Sequence, residues 1–364
     1  MTAAARQLDA LCHLTAQSMT SLETSDHFQV IKLLGEGSYG KVMLAVHRKR
    51  GTPMALKLFP RGSTSLISFL REYNLSLSFC THPSLTRALG IVFSTPSYYV
   101  FAQQAALYGD LYDIIVPEVG VEEPCVQRVM SQLSGALSHL HSLGFVHRDV
   151  KPENVFLCDR TCHWVKLGDF GMVKPRGARV PAVWYESPYC TPETEAVKGR
   201  KGKIWPDKNS TAKERICKIE VHNSGPAGVK SEEGTGKGDN KNVFWVSVET
   251  SIDSWALGIL VYSMLTGSYP WKETSSDDPG YTKYKEWFHR EKEQAGPNPI
   301  APQFAVFTPL AHCLFQELLN PQPWLRAGPE QVLGYLGGDW LLQKGGGKEG
   351  ALREKENERG KGCE

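Results

Sequence analysis

The sequence has no long uninterrupted apolar stretch. The run from Ile252 to Leu265 comes closest, but Asp253, Ser254 and Ser263 interrupt it. It also falls short of the roughly 20 apolar residues that cross a bilayer. An apolar signal segment is missing too, and Thr2 stands where N-myristoylation needs a glycine. We therefore expect neither a membrane span nor a lipid anchor.

The sequence also lacks a strong net charge and a disulfide framework. Its 41 Lys and Arg residues nearly balance 39 Asp and Glu residues, so no overall field points to nucleic acid or to a membrane surface. The nine cysteines have no repeated spacing, which is typical of free thiols in a reducing cytoplasm. Cys158, Cys162 and His163 lie close together, but without a second pair of ligands we expect a turn there and no zinc.

The first part of the chain changes from a helical to a strand-like pattern. Within residues 1–27, Leu8, Leu11 and Leu14 recur at helical spacing and predict a short helix that docks on the following domain. From Phe28 onward, apolar runs separated by tight turns predict three strands of an antiparallel sheet, near residues 30–34, 42–46 and 54–58.

Periodicity predicts further elements along the chain: a helix at 65–79, strands at 89–93 and 98–102, and helices at 125–143 and 252–265. The strands and the first of these helices make up a small lobe, and the later helices make up a larger one. We therefore expect an N-lobe at 28–104, a hinge at 104–109 and a C-lobe at 110–342.

Two segments lack such periodicity. Residues 197–242 hold eleven Lys or Arg against six Asp or Glu, with many Gly, Ser and Asn. An unstructured stretch of this length is unusual inside a compact domain, and either a lineage-specific loop or an intron read through in a gene prediction would account for it. The tail, residues 343–364, is rich in glycine and charge and is predicted to be disordered.

A glycine-rich pattern, G-x-G-x-x-G-x-V, stands between the first two predicted strands. It reads Leu34-Gly35-Glu36-Gly37-Ser38-Tyr39-Gly40-Lys41-Val42. Glycines let backbone N–H groups approach phosphate oxygens. In dinucleotide-binding enzymes the last glycine of a similar pattern opens a helix, whereas here the loop joins two strands. The context favours a loop that covers the phosphates of ATP.

A lysine and a glutamate form a second candidate pair. Ala55-Leu56-Lys57 lies on the third predicted strand, and Glu72 lies fifteen residues later on the predicted helix. An ammonium group at this place can hold the α- and β-phosphates of ATP if a carboxylate orients it. A solvated surface pair is the alternative.

The most specific pattern is His147-Arg148-Asp149-Val150-Lys151-Pro152-Glu153-Asn154, directly after a predicted buried helix. We expect Asp149 to orient a substrate hydroxyl and accept its proton. Lys151 is expected to neutralise charge on the transferred phosphoryl group, and Asn154 to bind magnesium. A lysine two residues after the aspartate is the serine/threonine-specific arrangement.

Asp169-Phe170-Gly171 follows a predicted strand. The Asp169 carboxylate is expected to hold Mg²⁺ between the β- and γ-phosphates. Such a tripeptide is common by itself, but here it is the fourth motif in a consistent order.

With these four motifs, residues 28–342 resemble the eukaryotic protein kinase superfamily, and within it the SH3-binding-domain kinase family. The narrower resemblance rests on residues 51–57, 69–72, 100–104, 109–115 and 253–258. It implies an α+β, bilobal protein kinase fold, with a small antiparallel β-sheet N-lobe carrying one helix and a larger, mainly helical C-lobe. It also implies ATP and Mg²⁺ as cofactors.

The resemblance further implies individual roles around the adenine and ribose. Gln103 corresponds to the gatekeeper, Ala106 to the hinge residue whose backbone meets adenine, and Asp110 to the ribose contact. The remaining residues that it places in the nucleotide site are Leu34, Ala55 and Gln104.

Two structural roles are implied as well. Asp253 corresponds to a buried aspartate that braces the catalytic loop from below. Glu193 corresponds to a residue that pairs with Arg326 and ties the activation segment to the C-terminal helices. Two unrelated surface charges are the alternative for that pair.

The activation segment departs from the family pattern. Tyr185-Glu186 stands where a Gly-Thr pair is expected, and Thr191-Pro192-Glu193 where Ala-Pro-Glu is expected. Glu186 cannot supply the threonine hydroxyl that bridges the catalytic aspartate and lysine, and Ser187 is the neighbouring alternative. No Ser or Thr occurs between Gly171 and Tyr185, so activation by phosphorylation there is not expected.

Two functional hypotheses follow. The first is an active cytoplasmic kinase that transfers the ATP γ-phosphate to serine or threonine hydroxyls of protein substrates. The second is a pseudokinase or scaffold that binds ATP or an SH3 domain with little turnover. The intact motifs favour the enzyme, whereas Glu186 and the insertion favour the scaffold. Pro299 and Pro302 provide one P-x-x-P spacing for an SH3 domain; nucleic acid and membranes are not expected partners.

Overall fold

The computed structural model describes residues 3–37, 40–198, 220–222, 243–293 and 300–343. Its first lobe is a six-stranded sheet in the order β1-β5-β6-β4-β3-β2. The strands are β1 (Thr20–Ser21), β2 (Phe28–Gly37), β3 (Gly40–His47), β4 (Pro53–Pro60), β5 (Ala88–Ser94) and β6 (Tyr98–Gln103). The predicted antiparallel sheet is confirmed. The short β1, which pairs in parallel with β5, is an addition that the sequence did not predict.

Helix α1 (Ala3–Ser18) precedes β1, and helix α2 (Thr24–His27) lies between β1 and β2. The predicted docking of α1 is confirmed, but the predicted contact face is wrong in part. Leu8 and Cys12 are buried, whereas Leu14 is 63% exposed. Residues four apart lie on one face of a helix, so Leu8 and Cys12 share a face that Leu14, six residues from Leu8, does not.

Helix α3 (Leu66–Ser78) packs beneath the sheet. Its first turn is capped by Ser65, whose Oγ accepts a hydrogen bond from the Ser68 N–H at 3.2 Å. Phe69 lies 5.3 Å from Phe59 in an edge-on contact between ring centroids, and all three of Phe59, Phe69 and Tyr73 are buried. This aromatic packing holds α3 against the face of the sheet at β4.

The second lobe is mainly helical, with α4 (Glu123–Ser142), α5 (Ser251–Thr266), α6 (Pro279–Glu293) and α7 (Pro309–Leu318). Short 3₁₀ helices lie before, between and after them, at Tyr112–Ile114, Pro152–Asn154, Pro192–Val197, Pro302–Phe304, Pro323–Leu325 and Pro329–Tyr335. Helix α5 is buried almost all round, as its sequence predicts. The predicted bilobal α+β fold is confirmed.

Two small strand pairs carry the candidate site between the lobes. β7 (Phe145–Val146) pairs with β10 (Lys174–Pro175), and β8 (Val155–Leu157) pairs with β9 (Val165–Leu167). The 147–154 loop joins β7 to β8, and Asp169 follows β9. The two strand pairs therefore bring the 147–154 loop and Asp169 close together.

A third sheet lies after the Asp-Phe-Gly tripeptide, in the order β11 (Arg179–Pro181), β13 (Val243–Ser247) and β12 (Glu220–His222). Most of the predicted unstructured segment 197–242 lies outside the described residues, but β12 shows that one part of it is a strand. The tail from residue 344 onward also lies outside them. Within the described ranges, no helix is long and apolar enough to cross a membrane.

Candidate active site

The glycine-rich hairpin of β2 and β3 leads directly to Lys57. Gly37 pairs with Gly40 across the hairpin, and Val42 pairs with Lys57 on β4; Ser38 and Tyr39 lie outside the described residues. Gly40 has φ +138°, and a Cβ there would lie 2.0 Å from the Leu58 carbonyl oxygen. Only glycine therefore fits at this turn.

Lys57 lies between two carboxylates. Its Nζ is 2.5 Å from Glu72 Oε1 and 3.2 Å from Asp169 Oδ1. The side chains of Lys57 and Glu72 are only 4% and 7% exposed. The predicted pairing of Lys57 with Glu72 is thus confirmed, and the alternative of a solvated surface pair is wrong. Helix α3 supplies Glu72 because it packs directly under β4.

The two carboxylates differ in acidity. Burial raises the pKa of Glu72, and the nearby negative charge of Asp169 adds to this, while Lys57 opposes it. Burial also acts to raise the pKa of Asp169, but Lys57 and the N–H of Gly171 outweigh it and hold that pKa below its usual value. Asp169 is therefore anionic at neutral pH.

Asp149, Lys151 and Asn154 form a compact cluster on the catalytic loop. Asn154 Nδ2 donates to Asp149 Oδ2 at 2.9 Å and to the Asp149 carbonyl oxygen at 2.7 Å. Lys151 Nζ lies 3.0 Å from Asp149 Oδ2. Burial lowers the pKa of Lys151, but the hydrogen bond to Asp149 outweighs it, so the pKa is raised. The structure brings all three predicted residues together.

The loop itself is held from below by Asp253 of α5. The Asp253 carboxylate accepts the N–H groups of His147 and Arg148, each at 2.8 Å, and lies 2.7 Å from His141 Nε2. Arg148 has φ +69°, a conformation that costs a non-glycine residue free energy. Burial acts to raise the pKa of Asp253, but the hydrogen bonds, first that of His141, hold it low. Asp253 thus makes the contacts with the catalytic loop that the predicted bracing role requires.

Phe170 fixes the direction of its neighbour Asp169. The Phe170 ring packs edge-on against Phe79 and His147, with centroids 5.1 and 5.8 Å apart. His147 Nε2 lies 3.0 Å from the Gly168 carbonyl oxygen. Asp169 has φ +57°. With Phe170 packed inward, the Asp169 side chain points outward to Lys57.

The predicted adenine and ribose residues lie along one edge between the lobes. Gln103 ends β6 opposite Ala55, and the Gln104 N–H donates to the Arg87 carbonyl oxygen at 2.9 Å. Gln103, Gln104, Ala106 and Asp110 are all half-buried. Burial and the neighbouring Asp113 raise the pKa of Asp110. Their contacts with a nucleotide remain predictions.

Glu186 forms an exposed ion pair with Lys272. Its Oε1 lies 2.6 Å from Lys272 Nζ, and both side chains are largely exposed. Ser187 Oγ accepts the Tyr189 N–H at 3.2 Å. In the described part of the chain, Asp149 has Asn154 and Lys151 as side-chain partners, so the structure does not place Ser187 in the role of the missing threonine.

Glu193 and Arg326 form a buried pair. Glu193 Oε2 lies 3.0 Å from Arg326 Nη2, with the side chains 9% and 0% exposed. Arg326 also donates to the carbonyl oxygens of Ser251 and Asn320, at 2.8 and 3.0 Å. The predicted pair is confirmed, and the alternative of unrelated surface charges is wrong.

The contact between the activation segment and the strand before α5 was not predicted from the sequence. The activation segment is hydrogen-bonded to the residues just before α5: Gly177 N–H donates to Val248 O at 2.8 Å, and Ala182 N–H donates to Phe244 O at 2.7 Å. Phe244, Val246 and Val248 are buried in alternation. That period of two was the available signal for a strand.

Comparison with known proteins agrees with this geometry. Residues 28–205 match the family model for the protein kinase domain. Serine/threonine-protein kinase SBK1 of Danio rerio is 36% identical over 335 residues, which cover 92% of this chain and 74% of the relative. Serine/threonine-protein kinase SBK2 of Rattus norvegicus is 34% identical over 347 residues, covering 95% and 83%. Serine/threonine-protein kinase meng-po of Drosophila melanogaster is 28% identical, covering 87% and 59%.

The motifs, their arrangement between two lobes and these relatives have one explanation. The chain belongs to the SH3-binding-domain kinase family and is a protein serine/threonine kinase with ATP as its phosphate donor.

Proposed function

We propose that ATP binds with its phosphates under the glycine-rich hairpin and beside Lys57, and that its γ-phosphate passes to a protein hydroxyl at Asp149. The observation that supports this proposal is the presence of two clusters of charged and polar side chains. Lys57 lies between Glu72 and Asp169, and Asp149 lies between Lys151 and Asn154. Phosphoryl transfer depends on positioning and on neutralising charge, which these clusters provide.

Asp169 and Asn154 are the residues that we propose to hold Mg²⁺. A carboxylate with a lowered pKa and an amide oxygen are the hard ligands that this ion prefers. Asn154 uses its Nδ2 for both bonds to Asp149, and among the described residues its Oδ1 has no hydrogen-bond donor. The donor set therefore fits a magnesium ion, which would neutralise phosphate charge when bound.

The chain's own residues divide the remaining work. Asp149 orients the attacking serine or threonine hydroxyl and accepts its proton on its carboxylate. Lys151, protonated because of Asp149, stabilises negative charge on the transferred group. Lys57 positions the α- and β-phosphates, and Glu72 orients Lys57. Leu34, Ala55, Gln104 and Ala106 enclose adenine, and Asp110 contacts ribose.

A phosphotransfer assay with Mg-ATP and generic protein substrates tests the proposal. We expect Asp149→Asn to lower turnover by at least about 100-fold, the scale of general-base catalysis. Asp277→Asn, at a side chain that is 78% exposed, is the matched control and should retain native turnover.

Nucleotide binding is followed in parallel by thermal shift, because a ligand that binds only the folded state raises the melting temperature. The shift should persist in Asp149→Asn. Equal background turnover in native protein and Asp149→Asn would overturn the proposal, and an intact ATP shift in that case would favour the scaffold hypothesis.

We further propose a cytoplasmic location and an SH3 domain as a partner. The cysteines of the described residues are free thiols, which supports a reducing compartment such as the cytoplasm. Pro302 is exposed at the start of a 3₁₀ helix, but Pro299 lies outside the described residues. Binding of an SH3 domain to this P-x-x-P spacing therefore remains a prediction.

A further inference from the structure

Helix α1 contacts α3 through two polar pairs. Asp9 Oδ1 lies 3.0 Å from Arg71 Nη2. The single hydroxyl proton of Thr15 is shared between Asn74 Oδ1 at 3.0 Å and the Leu11 carbonyl oxygen at 2.9 Å. Leu8 and Cys12 of α1 are buried between these pairs. We call this set of contacts the α1–α3 interface. It connects the amino-terminal segment to the helix that carries Glu72.

The interface lies on the side of α3 away from Lys57. Successive residues of a helix are rotated by about 100°. Arg71 and Asn74 are three residues apart and so share one face, whereas Glu72 points about 100° away from Arg71. Helix α1 therefore holds the outer face of α3 while Glu72 on the inner face meets Lys57.

Asn74 makes this contact specific. It is 3% exposed, and its Nδ2 donates to the Leu70 carbonyl oxygen at 2.8 Å and lies 3.7 Å from Cys12 Sγ. Among the described residues, the Thr15 hydroxyl of α1 is the donor that reaches its Oδ1. A buried amide that loses such a partner is left with an unsatisfied acceptor. Rotation of α3 away from α1 is therefore unfavourable.

Both ends of α1 are themselves anchored. At the carboxyl end, β1 pairs in parallel with β5, and the Leu22 N–H donates to the Ser94 carbonyl oxygen at 2.9 Å. At the amino end, Ala4 packs against the hydrophobic core, and a Cβ at Gly144 would lie 3.6 Å from Ala4 Cβ. Gly144 precedes β7, which leads into the catalytic loop. Helix α1 thus spans from the sheet to the second lobe.

We propose that α1 is a positioning element for phosphoryl transfer, which fixes α3 in the orientation where Glu72 pairs with Lys57. The inference rests on the roles proposed above for Lys57 and Glu72. The activation segment has no Ser or Thr between Gly171 and Tyr185 whose phosphorylation could order the site. Helix α1 would hold the Lys57–Glu72 pair together without such a modification.

The test uses the full chain and the isosteric variant Thr15→Val, which removes the hydroxyl. Thr15→Ser keeps the hydroxyl, and Leu14→Ala changes an exposed residue of the same helix. We expect Thr15→Val to lower kcat/KM for ATP roughly fivefold, the effect of about one lost hydrogen bond. Thr15→Ser and Leu14→Ala should retain native values. Thermal melting reports the folded fraction, by which all rates are corrected.

A double-mutant cycle with Glu72→Gln separates positioning from general stability. If α1 acts through Glu72, Thr15→Val should have little further effect on kcat/KM in the Glu72→Gln background. If the native protein shows no turnover, that result counts against the proposed function alone. The same cycle is then measured on ATP dissociation constants, which test whether Thr15 acts through Glu72. An equal factor in both backgrounds, or a change in melting temperature alone, would overturn the inference.

Discussion

Asp253 accepts the backbone N–H of His147 at 2.8 Å from a position with no solvent exposure. The adjacent N–H, that of Arg148, is bound by the other oxygen of the same carboxylate. Two hydrogen bonds to a buried charge thus hold a residue in a left-handed conformation directly before Asp149. The catalytic loop takes its shape from a residue of α5 more than a hundred positions later in the chain.

We expect Asp253→Asn to lower the free energy of unfolding by about 3 kcal/mol, because it weakens two hydrogen bonds to a charged carboxylate, each of which contributes about 1.5–3 kcal/mol. The amide keeps the size of the side chain but not its charge. Urea unfolding measures the loss, and Asp26→Asn, at an exposed position, is the control and should change stability little. A loss below about 1 kcal/mol would contradict the proposed bracing.

The same variant predicts a pH dependence. The pKa of Asp253 is below its ordinary value of 3.8 in the folded protein, so the charged form is favoured by folding. Its contribution to stability is fully present above the unfolded pKa and is lost as pH falls through the folded one. The stability difference between native protein and Asp253→Asn should therefore be constant near neutral pH and shrink below about pH 4.

Lys57→Met removes the ammonium group from between Glu72 and Asp169. We expect at least about a 100-fold loss of phosphotransfer, the scale for removal of one preorganised donor. Lys32→Met is the control on the same sheet, because Lys32 of β2 is exposed to solvent and lies outside the glycine-rich loop. A surface substitution of this kind changes stability little, so the control should stay near native activity. Similar losses in both variants would argue against a special role for Lys57.

The buried pair of Glu193 and Arg326 gives a prediction about stability. Arg326→Met and Glu193→Gln should each lower the free energy of unfolding by about 3–5 kcal/mol, because each leaves a buried charge without its partner. The double variant should lose less than the sum. Chemical denaturation of the four proteins completes the cycle, and strictly additive losses would show that the two residues act independently.

The backbone hydrogen bonds between the activation segment and the β13 region predict that a substitution at Ala182 lowers kcat. Ala182→Pro removes the N–H that donates to Phe244 O. We expect kcat to fall roughly fivefold, the effect of about one lost hydrogen bond on the population of the ordered segment. Ala182→Ser keeps the N–H and should behave as the native protein. Steady-state rates with protein substrate test this. An unchanged kcat in Ala182→Pro would show that these hydrogen bonds do not contribute to activity.

The sequence by itself determined the fold class and the contiguous motifs. A glycine hairpin, a loop from His147 to Asn154 and the tripeptide at Asp169 each have their chemistry within a few residues, so local spacing suffices to place it. Long periodic segments such as α4 and α5 were equally predictable, because burial of one face or of all faces leaves a clear pattern.

Only the tertiary structure decided how distant segments meet. It placed Leu14 in solvent, directed Glu186 to Lys272, joined β11 to β13 and set Thr15 against Asn74. The three contacts among these join residues whose separation in the chain carries no periodic signal. They depend on which faces remain free once the two lobes have packed, and that is a property of the whole fold rather than of any segment in it.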